Sequence, residues 1–230
     1  MKIIEKISAN NKDNLKNPAP LIAFLGDSVT QGCFYSSTDY NAVYHNKLKQ
    51  RLGYLYPGAV VNILNAGIAG TTANVGAERV DRDVISKNPD LCVVCFGLND
   101  IGGLEEKIPE FENSLAEIFE KLKNAGIETI YMTPNMLNTQ YCPEKTLDIY
   151  KDYAQVTMGW QNGGLMDKYM DAARKTAKAH NVPVCDCYAI WKKLESCGVN
   201  PSAILSNGIN HPDPEMHNLF ADELLRVMFN

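Results

Sequence analysis

A serine hydroxyl is a weak nucleophile until an imidazole within hydrogen-bond reach takes its proton. The chemistry to look for first is therefore a serine at a strand end and a histidine on a loop that can reach it. Ser28 has the first setting. The run Leu21-Ile-Ala-Phe-Leu-Gly-Asp-Ser28 is apolar to Leu25, breaks at Gly26 and delivers the serine just past the strand. Open parallel sheets bind their ligands at that edge. Taken alone, the turn reads equally well as Asp27 or Ser28 capping a following helix.

Two other strand ends carry groups suited to a developing oxyanion. Asn65-Ala-Gly-Ile-Ala-Gly-Thr-Thr72 has glycines that allow positive φ and close backbone approach, so the Gly70 amide can face such a charge. Phe96-Gly-Leu-Asn-Asp100 adds the Asn99 side-chain amide as a second donor. Each is individually compatible with an ordinary turn or a helix cap. Of the four histidines, His45 and His180 fall in helical patterns and His217 in the first turns of the last helix. Only His211, in Asn207-Gly-Ile-Asn-His-Pro212, lies in an irregular loop that can reach the sheet's carboxyl edge. Cys92-x-x-Cys95 and Cys185-x-Cys187 sit in strand-like sequence without a Cys/His knuckle, so they read as buried thiols and no metal site is expected.

The elements that must position these groups follow from periodicity. Apolar runs at Leu21 to Leu25, Val60 to Leu64, Leu91 to Phe96, Thr129 to Met132 and Val182 to Cys187 alternate with helical patterns, the rhythm of βαβ units around a parallel sheet. Ile108, Phe111, Leu115, Ile118, Phe119 and Leu122 mark one helix, closed by Gly126. Weaker patterns predict helices over 39–52, 73–85 and 165–180, and a last helix with Asp213 as its N-cap and Pro214 at its first position. Residues 1–18 read as an arm and 19–230 as one domain. The stretch 133–161, with Tyr141, Tyr150, Tyr153 and Trp160, reads either as a lid over the site or as a helix packed on the surface.

Composition narrows the partners. The chain has 230 residues, 45% hydrophobic and 21% charged, with a net charge of -5 and no basic run, which argues against nucleic acid and anionic membrane. No stretch reaches the roughly 18 apolar residues of a membrane span. Seven cysteines, an odd number, point to a reducing, cytoplasmic setting. The oligomeric state is left open.

Gly26-Asp27-Ser28, Gly70, Gly97-x-Asn99-Asp100 and His211-Pro212, in that order, resemble the blocks of the SGNH hydrolases, or GDSL esterase/lipase family, from Gly26 to the C-terminal helix. The resemblance implies an α/β fold, a three-layer α/β/α, flavodoxin-like sandwich with a five-stranded parallel sheet. It implies Ser28 as nucleophile, His211 as base, and an oxyanion hole of the Ser28 N–H, the Gly70 N–H and the Asn99 side chain. No metal and no organic cofactor are implied. The reaction expected is hydrolysis of a small, short-chain ester, an acetyl ester of a carbohydrate being the first choice. The alternative is a non-catalytic flavodoxin-like or carbohydrate-binding module with a degenerate site. One position departs from the family: the aspartate expected three residues before the histidine is Gly208. Asn207 is one candidate to orient His211, a backbone carbonyl another; Asp213 is assigned to the helix cap.

Overall fold

The computed structural model describes residues 1–35 and 37–230. β1 (Leu21–Gly26) and β3 (Leu91–Cys95) are apolar almost throughout and lie side by side at the centre of the sheet, buried on both faces. β2 (Asn62–Gly67) flanks β1, while β4 (Glu128–Met132) and the two-residue β5 (Val184–Cys185) extend the other side. The order β2-β1-β3-β4-β5 is parallel throughout. The chain leaves β1 for β2 on one side and returns to β3 on the other. The carboxyl ends of β1 and β3 therefore border the crevice at which this topology binds ligands.

Helices cover both faces. They are α1 (Lys2–Lys12), the single-turn α2 (Ser28–Gln31), α3 (Tyr44–Leu55), α4 (Ala73–Asp83), α5 (Ile108–Asn124), α6 (Lys151–Asn162), α7 (Leu165–Ala179), α8 (Cys187–Ser196) and α9 (Met216–Met228). The α5 stripe buries Phe111, Leu115, Ile118, Phe119 and Leu122, as its spacing predicts.

Four boundaries differ from the sequence reading, each for a tertiary reason. The first 18 residues are no loose arm: Ile3 and Ile7 of α1 are fully buried in the main core, and Glu128 of β4 accepts the Lys2 and Ile3 N–H groups. β2 lies further along than Val60 to Leu64 because its register on β1 runs from Leu21↔Asn62 to Gly26↔Gly67. That register carries Asn65, whose amide bonds the Gln31 carbonyl. β5 stops at Cys185 because Asp186 caps α8, its Oδ1 accepting the Ala189 N–H. Asp213 does not cap α9, which begins at Met216; its carboxylate instead pairs with Lys145.

Two buried acids hold the ends of the central strands. Asp27 caps α2 through Oδ1, which accepts the Val29 N–H at 3.0 Å, while its Oδ2 has no partner among the described residues. Asp100 accepts the Ala73 N–H at 2.8 Å and the Gly97 N–H at 2.9 Å, tying the β3 loop to the start of α4. Burial raises Asp27 to about 7 and Asp100 to about 6, against the backbone N–H bonds that favour the charged forms. Arg79, 5% exposed, donates to the Gly26 and Ala66 carbonyls and so joins the carboxyl ends of β1 and β2 to α4.

Two outcomes are expected. Ile7→Ala should cost about 2–5 kcal/mol in urea unfolding, the range for emptying a buried isoleucine site, whereas an undocked arm would give no measurable loss. A carboxyl raised from 3.8 to about 7 contributes stability that is complete below the unfolded value and is lost as pH rises through the folded one. Asp27→Asn should therefore stabilise the protein at pH 8 and bring little gain at pH 4, as read by urea titration at both.

Candidate active site

The break at Gly26 is enforced by packing. A Cβ there would stand 2.7 Å from the Cys95 carbonyl oxygen and 2.2 Å from Thr30 Oγ1, so the chain can turn out of the sheet between β1 and β3 only without a side chain. Asp27 then starts α2, and Ser28 is its first residue, at the floor of a cleft of about 280 Å³. Gly70, with φ +75°, and Asn99 line the same cleft. Asn99 is held by one Nδ2–H on the Thr71 carbonyl at 3.0 Å, which leaves its second N–H for a ligand.

His211 arrives from the other end of the chain. Its Nε2 lies 2.9 Å from Ser28 Oγ, and its Nδ1 lies 3.3 Å from the Phe34 carbonyl oxygen. A carbonyl can only accept, so Nδ1 carries the proton and the Nε2 lone pair faces the serine hydroxyl. Burial lowers the His211 pKa, and the Phe34 carbonyl offsets part of that by favouring the protonated ring. The Phe34 ring packs on His217 at 5.0 Å, and His217 Nδ1 accepts the Tyr44 N–H. His217 thus anchors the residue whose carbonyl meets His211. His45 is likewise a buried structural group, bonded through Nε2 to the Thr30 carbonyl.

Of the sequence candidates, Ser28, Gly70, Asn99 and His211 meet in one cleft. Asn207 lines that cleft but does not orient the imidazole ring: its Oδ1 accepts the N–H groups of Ile209, Asn210 and His211 at 3.0–3.1 Å, which folds the loop instead. An amide oxygen already shared by three donors has nothing left for the ring. The Phe34 carbonyl had no signature in the sequence, because any residue has one.

Stretch 133–161 divides between the core, the surface and the wall of the cleft. Met136 and Leu137 are fully buried and α6 packs on the surface, while Lys145, Leu147, Tyr150 and Tyr153 wall the cleft. Tyr150 and Tyr153 line the cleft and remain 48% and 41% exposed.

Residues 24–219 match the GDSL-like Lipase/Acylhydrolase family. An uncharacterized lipoprotein of Bacillus subtilis, YqeF, is 27% identical over 201 residues, covering 84% of this chain and 80% of that one. An acetylxylan esterase of Geobacillus stearothermophilus is 28% identical over 150 residues, covering 56% of this chain and 67% of that protein. Among solved structures, the acetylxylan esterase Axe2 of Geobacillus stearothermophilus superposes with a TM-score of 0.69 at 21% identity, over 91% of this chain and 94% of that one. A lipase/acylhydrolase of Enterococcus faecalis gives 0.70 at 21% identity, over 90% and 94%. With its five-stranded parallel sheet and its match over most of its length, the chain is a carboxylic ester hydrolase that belongs to the GDSL-like Lipase/Acylhydrolase family.

Proposed function

We propose that this protein is a serine esterase in which Ser28 and His211 act as a dyad on short-chain acyl esters, acetylated carbohydrates foremost. The observation that carries the reading is the 2.9 Å hydrogen bond from Ser28 Oγ to His211 Nε2, with the Nδ1 proton turned away onto a backbone carbonyl. His211 takes the Ser28 proton as Oγ bonds to the ester carbon. The resulting oxyanion is met by the Ser28 N–H, the Gly70 N–H and the free Asn99 N–H, donors that water does not need to reorganise. As the C–O bond breaks, the alcohol leaves with the proton held on Nε2. A water then gives a proton to His211, attacks the acyl carbon, and the acid departs as Ser28 recovers its proton.

The cleft, about 280 Å³, falls just below the usual range for ligand sites, which suits a short acyl group. Tyr150 and Tyr153, partly exposed in the wall of the cleft that holds Ser28, are suited to packing against a sugar ring, and the Geobacillus acetylxylan esterase is 28% identical to this chain over 150 residues. Both support a carbohydrate alcohol.

Fluorophosphonate labelling and p-nitrophenyl acetate hydrolysis test the reading. Both should vanish in Ser28→Ala, and wild-type rates in that variant would end it in favour of a non-catalytic module. Asn99→Ala should lower kcat roughly 10²–10³-fold, the usual loss of one oxyanion donor, and less than Ser28→Ala does. Because the base must be neutral and burial depresses His211, kcat/KM should rise with pH through a midpoint below the ordinary value of 6.5.

A further inference from the structure

Three facts converge on the loop that carries His211. Gly208 stands at φ +64°, and a Cβ built there meets Thr146 Oγ1 at 2.7 Å, Lys145 Cβ at 3.2 Å and Cys142 Cβ at 3.4 Å. The segment 142–146 therefore fills the volume that a side chain at position 208 would need. From that segment Lys145 reaches both arms of the loop. Its Nζ donates to the Ala203 carbonyl at 2.5 Å and the Leu205 carbonyl at 3.1 Å on the ascending arm, and pairs with Asp213 Oδ2 at 3.1 Å on the descending arm.

Between those arms the loop closes on itself. Leu205 and Pro212 form an antiparallel bridge, and Ser206 gives its N–H and hydroxyl to the His211 carbonyl at 2.6 and 3.1 Å. Lys145 is the one side chain from outside the loop whose charge joins its two ends among the described residues. The imidazole ring receives only a neutral carbonyl at Nδ1, so nothing on the ring itself holds it as firmly as a carboxylate would. Its place over Ser28 must come from the backbone.

We infer that Lys145 is a positioning residue for His211: it clamps the 203–213 loop so that Nε2 stays on Ser28 Oγ, from the space a side chain at position 208 would otherwise occupy. The inference rests on the Ser28–His211 reading given above. A three-point ammonium contact, two-thirds to three-quarters withdrawn from solvent with its acid partner, is a tighter brace than an exposed ion pair. Displacing a catalytic base by about 1 Å costs on the order of 10²-fold in rate. Lys145 therefore acts on turnover through the placement of His211.

The test compares Lys145→Met, Lys145→Arg and Asp213→Asn with the wild-type protein, reading kcat and KM for p-nitrophenyl acetate, the rate of fluorophosphonate labelling and Tm. Lys145→Met should lose about ten- to a hundredfold in kcat and, in parallel, in the rate of fluorophosphonate labelling. Lys145→Arg should recover most of that loss, since it restores charge and donors. Asp213→Asn keeps the two carbonyl contacts and should lose only several-fold; it decides the matter if Lys145→Met fails to fold. Wild-type kcat and labelling in folded Lys145→Met, or in Asp213→Asn where the former does not fold, would overturn the clamp. Gly208→Asp should bring no gain in kcat, and a several-fold gain would equally overturn it. Absent labelling of the wild-type protein would instead count against Ser28 as nucleophile, so the two failures are told apart.

Discussion

The cleft depends on one constraint: β1 must leave the sheet between β2 and β3 at Gly26, where neighbouring backbone stands too close for any Cβ. That exit sets Ser28 at the switch point and begins α2. Gly70 and Asn99 follow because the next two strands in the chain, β2 and β3, are the neighbours of β1 on either side. Their carboxyl ends cannot help but flank the serine. Arg79 secures this edge by donating to the Gly26 and Ala66 carbonyls at the carboxyl ends of β1 and β2.

Beneath the cleft the protein keeps two carboxyls where their charged forms are disfavoured. Asp27 and Asp100 each stand beside a residue of the proposed oxyanion hole, Ser28 and Asn99, and each accepts backbone N–H bonds that shape the turn. Burial outweighs those bonds, which is why both are raised. The turns are thus rigid at a cost in stability near neutral pH, a common compromise where geometry matters more than the last kcal/mol.

His211 is held in a different manner from Ser28. It is carried by a loop 183 residues away, and its ring meets one serine and one backbone carbonyl. The tautomer is set by the chemistry of the acceptor, but the firmness of the placement is handed to the loop. The Asn207 side chain makes four hydrogen bonds inside it, Ser206 ties its closing residue, and Lys145 braces its two ends. Phe34 in turn is steadied by His217, so a buried histidine with no chemical role contributes to the setting of another.

Local pattern determined the parallel α/β class and the α5 helix, and the ordered blocks that resemble the family picked out the four residues that meet in the cleft. It could do so because a strand buried on both faces, a 3.6-residue stripe and a glycine break are all written in consecutive side chains. Only the tertiary structure decided what surrounds them. That α1 is part of the core rather than an arm depends on Glu128, far along the chain at the start of β4, accepting the Lys2 and Ile3 N–H groups, and on the main core taking in Ile3 and Ile7. That β2 begins at Asn62 depends on its register against β1, which outweighs the hydrophobicity of Val60. That Asn207 folds a loop, that Asp213 pairs with Lys145, and that a Phe34 carbonyl meets the imidazole could not be read beforehand. Backbone acceptors carry no sequence signature, and a polar side chain takes whichever partner the folded chain brings within 3 Å or so.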